Sequence, residues 1–157
     1  MGSLKHRLHE DLTAAMHAQD DVARSTLRMA LSAISKAEVA GRTHATLTDD
    51  EVLGLLRSEI RKRAEAATIF TAAGRDELAA RERAEADVLA PYLPAELSDA
   101  ALGAIVAEEV AQAEQAGVTG PRAMGQVIRA VRGRVGQQSG GGRIADAVKA
   151  ALQRSAG

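Results

Sequence analysis

The sequence predicts an all-α protein, with an N-terminal four-helix domain over residues 1–94 and a small C-terminal three-helix domain over 97–157. Three observations predict it. Alanine supplies 34 of the 157 residues and is the strongest helix former, while β-branched residues are in the minority. Larger apolar residues recur at spacings of three and four, the period of a helix face. Cap-forming residues and glycine or proline stops punctuate those runs.

Ser3 caps a first helix over 3–19, with Leu4, Leu8, Leu12, Ala15 and Met16 on one stripe. Asp20-Asp21 starts a second that runs to about Gly41, with Leu27, Leu31 and Ile34 on one side. Residues 42–47 are polar and read as a loop. Thr48 and Glu51 then stand at capping-box spacing before a helix that carries Val52, Leu53, Leu56, Ile60, Ala67 and Phe70 and stops at Gly74. A more charged helix covers 76–90 and ends at Pro91, whose ring cannot continue it. Pro91-Tyr92-Leu93-Pro94 marks the domain boundary.

Beyond it, Ser98 caps a fifth helix with Leu102, Ile105, Val106 and Val110, ending at Gly117. Pro121 opens a sixth with Met124, Val127, Ile128, Val131 and Val135. Residues 136–142, GQQSGGG, read as a flexible glycine-rich connector to a last helix over 143–154 bearing Ile144, Val148, Ala151 and Leu152.

Composition excludes several functions. No cysteine means no disulfide and no Cys-ligated zinc. Two aromatics, Phe70 and Tyr92, are too few for a sheet of stacked bases. No apolar run approaches the ~18 residues that cross a bilayer, and the N-terminus lacks the apolar stretch of a signal peptide, so the expected location is cytoplasmic. His6, His9, His17 and His44 form no complete ligand set; His9-Glu10 fails the zinc-protease pattern because Thr13 holds the second histidine position. Neither a phosphate-binding GxxxxGK[ST] loop nor a GxSxG nucleophile elbow occurs. We therefore expect no catalytic residues, no metal and no cofactor. Arg24/Arg28 and Arg57/Arg61 align at i, i+4, with pairing to nearby acids as the simple explanation.

Charge is divided along the chain. Residues 120–157 hold seven basic groups against Asp146 alone, a net +6, whereas residues 1–119 carry −7. At 100° per residue, Arg122, Arg129 and Arg132 fall opposite the apolar face of the sixth helix, placing guanidiniums outward for phosphate contacts. Gly140-Gly141-Gly142-Arg143 then leads into a helix N-terminus, where free N–H groups and partial positive charge favour an anion. The expected RNA-binding set is Arg122, Arg129, Arg132, Arg134, Arg143 and Lys149, with Arg154 adding longer-range attraction. The same arginines also read as a solvated charged face.

The blocks RSTLRM (24–29), LTDDE (47–51), AGRDEL (73–78) and YLP (92–94) stand in the order and spacing of the stand-alone GatB/YqeY family, which the chain resembles over nearly its whole length. MGQVIRAVRGRV (124–135) is similar to that family's glycine-containing helix and to the tRNA-engaging helical tail of the glutamine-dependent Glu-tRNA/Asp-tRNA amidotransferase. The resemblance implies two helical domains and tRNA binding, and it carries over no catalytic residue. Where the family usually makes a short Asp-Gly turn before the last helix, this chain has the longer GQQSGGG. The expected function is a non-catalytic tRNA-binding or tRNA-amidotransferase-associated accessory protein. The alternative is a protein-interaction adaptor that uses the N-terminal helices without RNA. Expected partners are tRNA, or an amidotransferase or other protein, and neither a membrane nor DNA.

Overall fold

Side-chain caps set most of the helix starts in the computed structural model, which describes residues 3–41 and 45–156. Ser3 accepts from the His6 N–H to begin α1 (Leu4–His17), and Asp20 accepts from Ala23 to begin α2 (Asp21–Val39). The reciprocal Thr48/Glu51 box opens α3 (Asp49–Ala72). The helix α4 (Asp76–Leu89) has no side-chain cap and runs into a 3₁₀ turn, Ala90–Tyr92, that holds Pro91. Ser98 caps α5 (Asp99–Gln115), Pro121 stands at the first position of α6 (Pro121–Val135), and α7 spans Gly141–Ser155. No strand occurs among the described residues. Of the loop expected over 42–47, residues 45–47 carry no regular secondary structure, while 42–44, with His44, lie outside the described residues.

Contacts divide the chain into two compact units, one ending at Leu93 and one beginning at Pro94. In the first, α3 packs along α4, and α2 packs on α1 and α4. Leu8, Leu27, Ile34, Val52, Leu56 and Leu89 are its buried centre. Each such side chain contributes about 1.5–3 kcal/mol relative to exposure. Polar clasps close its open end. Glu38 accepts from Lys5 Nζ at 2.6 Å and from the Leu47 N–H at 3.0 Å, and Asp49 accepts from the Leu4 N–H at 3.0 Å. In the second unit α5, α6 and α7 pack pairwise around Leu102, Val106, Val110, Val127, Val131, Ile144 and Val148.

The glycine-rich stretch departs from expectation. Residues 136–142 are ordered: Gly136–Gln138 form a 3₁₀ turn, Ser139 is buried, and Gly141 and Gly142 belong to α7. Two forces fix it. The Gln138 carbonyl accepts from the Leu97 N–H at 2.9 Å, and Gly136 takes φ +53°, ψ −128°, a conformation open cheaply only to glycine. Smaller departures lie at helix ends. Helix α2 stops at Val39 before Gly41, and α4 stops at Leu89 because the chain tightens into the 3₁₀ turn before Pro91.

Candidate nucleic-acid interface

Helix α6 turns Ala123, Val127, Val131 and Val135 into the core and leaves Arg122, Arg129 and Arg132 exposed. Two glycines share the arginine side. At 100° per residue Gly125 falls between Arg129 and Arg132, and a Cβ there would meet Arg129 Nη1 at 3.7 Å. Gly133, where a Cβ would meet nothing within 4 Å, falls beside Arg122 and Arg129 in the same projection. This bare stretch of helix lets a polyanion approach the backbone between guanidiniums. The stripe ends at α7, where a Cβ on Gly141 would lie 3.1 Å from Arg132 Nη2. Gly140 offers α7 no side-chain cap, so the N–H groups of its first turn take no side-chain acceptor there and suit an anion beside Arg132.

The structure sorts the basic residues into two groups. Arg134 lies on the α5-facing flank, 2.7 Å from Glu108 and 3.2 Å from Glu109. Those two carboxylates raise its pKa above the ordinary guanidinium value. Arg143 reaches Asp99 at 2.6 Å and lines, with Gly103, Asp146 and Arg154, a cleft of about 330 Å³ between α5 and α7. By contrast, no carboxylate of the described residues forms an ion pair with Arg122, Arg129, Arg132, Lys149 or Arg154. Lys149 projects from α7 on the opposite flank to Arg143 and Arg154. Four cations are thus open to an external anion on the α6–α7 side, while two are held by α5.

This arrangement changes the meaning of the charge division. The +6 belongs to a segment, not to a folded unit: from Pro94 onward seven basic residues meet six acidic ones, because α5 carries Asp99, Glu108, Glu109 and Glu114. The second unit is nearly neutral and strongly polarised, with its carboxylates concentrated on α5 and its unpaired arginines on the outer face of α6.

The first unit holds groups that spacing did not reveal. Arg63 is 5% exposed and donates to Glu59 at 2.9 Å and Glu85 at 3.3 Å. The Tyr92 hydroxyl donates to Asp11, and Arg7 lies over its ring at 4.7 Å. Burial and that hydrogen bond raise the tyrosine pKa above its ordinary value. The pairing with a nearby acid expected for Arg24 does form, to Asp21 at 2.7 Å, an i, i+3 contact. His6 lies 3.2 Å from Glu10, and both are exposed. No group of three or more metal-ligating side chains gathers among the described residues, and no helix there is long and apolar enough to cross a membrane.

Comparison with known proteins adds two findings. The family model for Yqey-like protein matches residues 5–152. Over 92 residues the chain is 30% identical to the altered inheritance of mitochondria protein 41, mitochondrial, of Clavispora lusitaniae (strain ATCC 42720). That match covers 59% of this chain and 52% of the relative, so the chain spans about half the length of the curated relative.

Proposed function

The chain belongs to the YqeY-like family, and from that premise we propose that it is a non-catalytic accessory protein that binds tRNA, alone or in association with a tRNA amidotransferase. One observation carries the reading. Arg122, Arg129 and Arg132 stand unpaired on one outward face of α6, interleaved with glycines, and lead to the uncapped start of α7. A guanidinium presents donors in a fork that fits phosphate oxygens. An exposed surface of this kind gains affinity by releasing counterions from the RNA backbone. Lys149 extends the surface, and Arg134 and Arg143 border it while tied to α5. Without aromatic side chains in the second unit to stack on bases, recognition is of backbone and shape. In this reading the four helices up to about residue 94 and the three from about 97 act as separate domains, in the cytoplasm, with no cofactor.

The test is a gel-shift titration of bulk tRNA at low salt with wild type and the Arg129→Glu/Arg132→Glu variant. Wild-type binding that the variant weakens supports the proposal; equal binding by both, or none by wild type, overturns it.

A second reading, a protein adaptor acting through the first unit, draws on the end of the α3–α4 pair, where Ile69 is 68% and Leu78 40% exposed. Isolated exposed apolar residues of this kind are common on soluble proteins and gain meaning as a patch. A stoichiometric protein partner that survives nuclease treatment and is lost in Ile69→Glu/Leu78→Glu supports this reading over the first.

A further inference from the structure

Met16 and Met29 are exposed, and each sets its sulfur against a guanidinium, Arg28 at 3.9 Å and Arg63 at 3.8 Å. The two contacts are not equivalent. Arg28 is exposed, so its donors are within reach of solvent. Arg63 is buried: Nε donates to Glu85, and Nη1 donates to the Glu59 carboxylate and carbonyl. For Nη2 the acceptor among the described residues is the Met29 sulfur. A thioether is a weak acceptor, so a cationic donor in a buried place is left under-satisfied. Met29 is nonetheless 55% exposed, so a solvent-borne oxidant meets this side chain.

We propose that Met29 is an oxidation site whose sulfoxide oxygen accepts from Arg63 Nη2, so that oxidation fastens α2 to α3 instead of loosening the unit. With a hydroperoxide as oxidant, a sulfur lone pair attacks one peroxide oxygen. The O–O bond breaks, the S–O bond forms, sulfur loses two electrons, and the second oxygen leaves as water or an alcohol. Set to one side of the 3.8 Å line from sulfur to Nη2, the new oxygen comes within hydrogen-bond range of Nη2. One of the two sulfoxide epimers points that way, so one epimer carries the effect.

The chain suits the test, since it has no cysteine or tryptophan to compete for oxidant, and its single tyrosine, Tyr92, reports the first unit. The protein is treated with hydrogen peroxide, peptide-mapped by mass, and melted while tyrosine fluorescence is followed. Met29 gains oxygen about tenfold faster than half-buried Met124. In the fraction that carries this epimer, the midpoint of the first unit rises by roughly 4–8 °C, the shift that about one net hydrogen bond gives a unit of this size. In Met29→Leu the same treatment leaves the midpoint unchanged. A lowered or unchanged midpoint in oxidised wild type, an equal rise in Met29→Leu, or Met124 oxidising as readily as Met29 overturns the proposal.

Discussion

Replacing Arg63 by methionine keeps most of the aliphatic volume of a side chain that is 5% exposed and removes the cation from between two carboxylates. Glu59 and Glu85 are themselves only 18% and 12% exposed, so their charges cannot turn freely to water. Breaking a buried ion pair from one side costs about 3–5 kcal/mol. The lower end applies, because each acid keeps an exposed partner: Lys62 at 3.5 Å from Glu59, and Arg81 at 3.2 Å from Glu85. With a urea dependence of about 1.5 kcal/mol/M, a loss of about 3 kcal/mol lowers the midpoint by about 2 M. Tyrosine fluorescence isolates this transition, since Tyr92 lies in the first unit, whereas circular dichroism follows both units. Adding Glu59→Gln and Glu85→Met to Arg63→Met removes the stranded charges and recovers most of the loss. A midpoint drop under about 0.5 M, or a triple variant no better than the single, refutes the reasoning.

Other expectations follow from the same contacts. Gly136→Ala forces a Cβ into φ +53° and costs the second unit about 1–3 kcal/mol, read by circular dichroism in urea. Gly141→Ala, in contrast, displaces only the flexible end of Arg132, so tRNA affinity falls while the same urea midpoint holds. For Glu38, the Lys5 hydrogen bond first and the Leu47 N–H second hold the carboxyl below its ordinary 4.5. A depressed folded-state pKa adds stability that is present above 4.5 and lost as pH falls through the folded value. Glu38→Gln is therefore less stable than wild type at pH 7, and the gap in urea midpoints narrows with acidification below 4.5.

What was legible in the sequence was local. Ser3, Asp20, the Thr48/Glu51 box, Ser98 and Pro121 each act within four residues of a helix start, so spacing alone locates them. The outward arginines of α6 follow from helical period for the same reason. What escaped depends on distant partners. Arg63 sits in a charged run, RKRAE, whose spacing gives no sign of burial, and that burial becomes tenable only because α4 returns Glu85 to it. Tyr92 and Asp11 are 81 residues apart. The order of 136–142 rests on the Leu97 N–H, beyond any window that sees only glycines. The charge division misled in the same way, because a cut along the sequence separated Arg134 and Arg143 from the α5 carboxylates they meet.

The claim at the centre is that unpaired cations on α6 and α7 bind RNA backbone. Its most direct test is the salt dependence of tRNA affinity. If Arg122, Arg129, Arg132 and Lys149 each neutralise one phosphate, log K falls against log salt with a slope of about −3 for wild type. The slope is about −1.5 for Arg129→Glu/Arg132→Glu, and it is unmoved by Arg154→Gln at the far flank of α7. A slope near zero, or one that the double reversal leaves unchanged, contradicts the account.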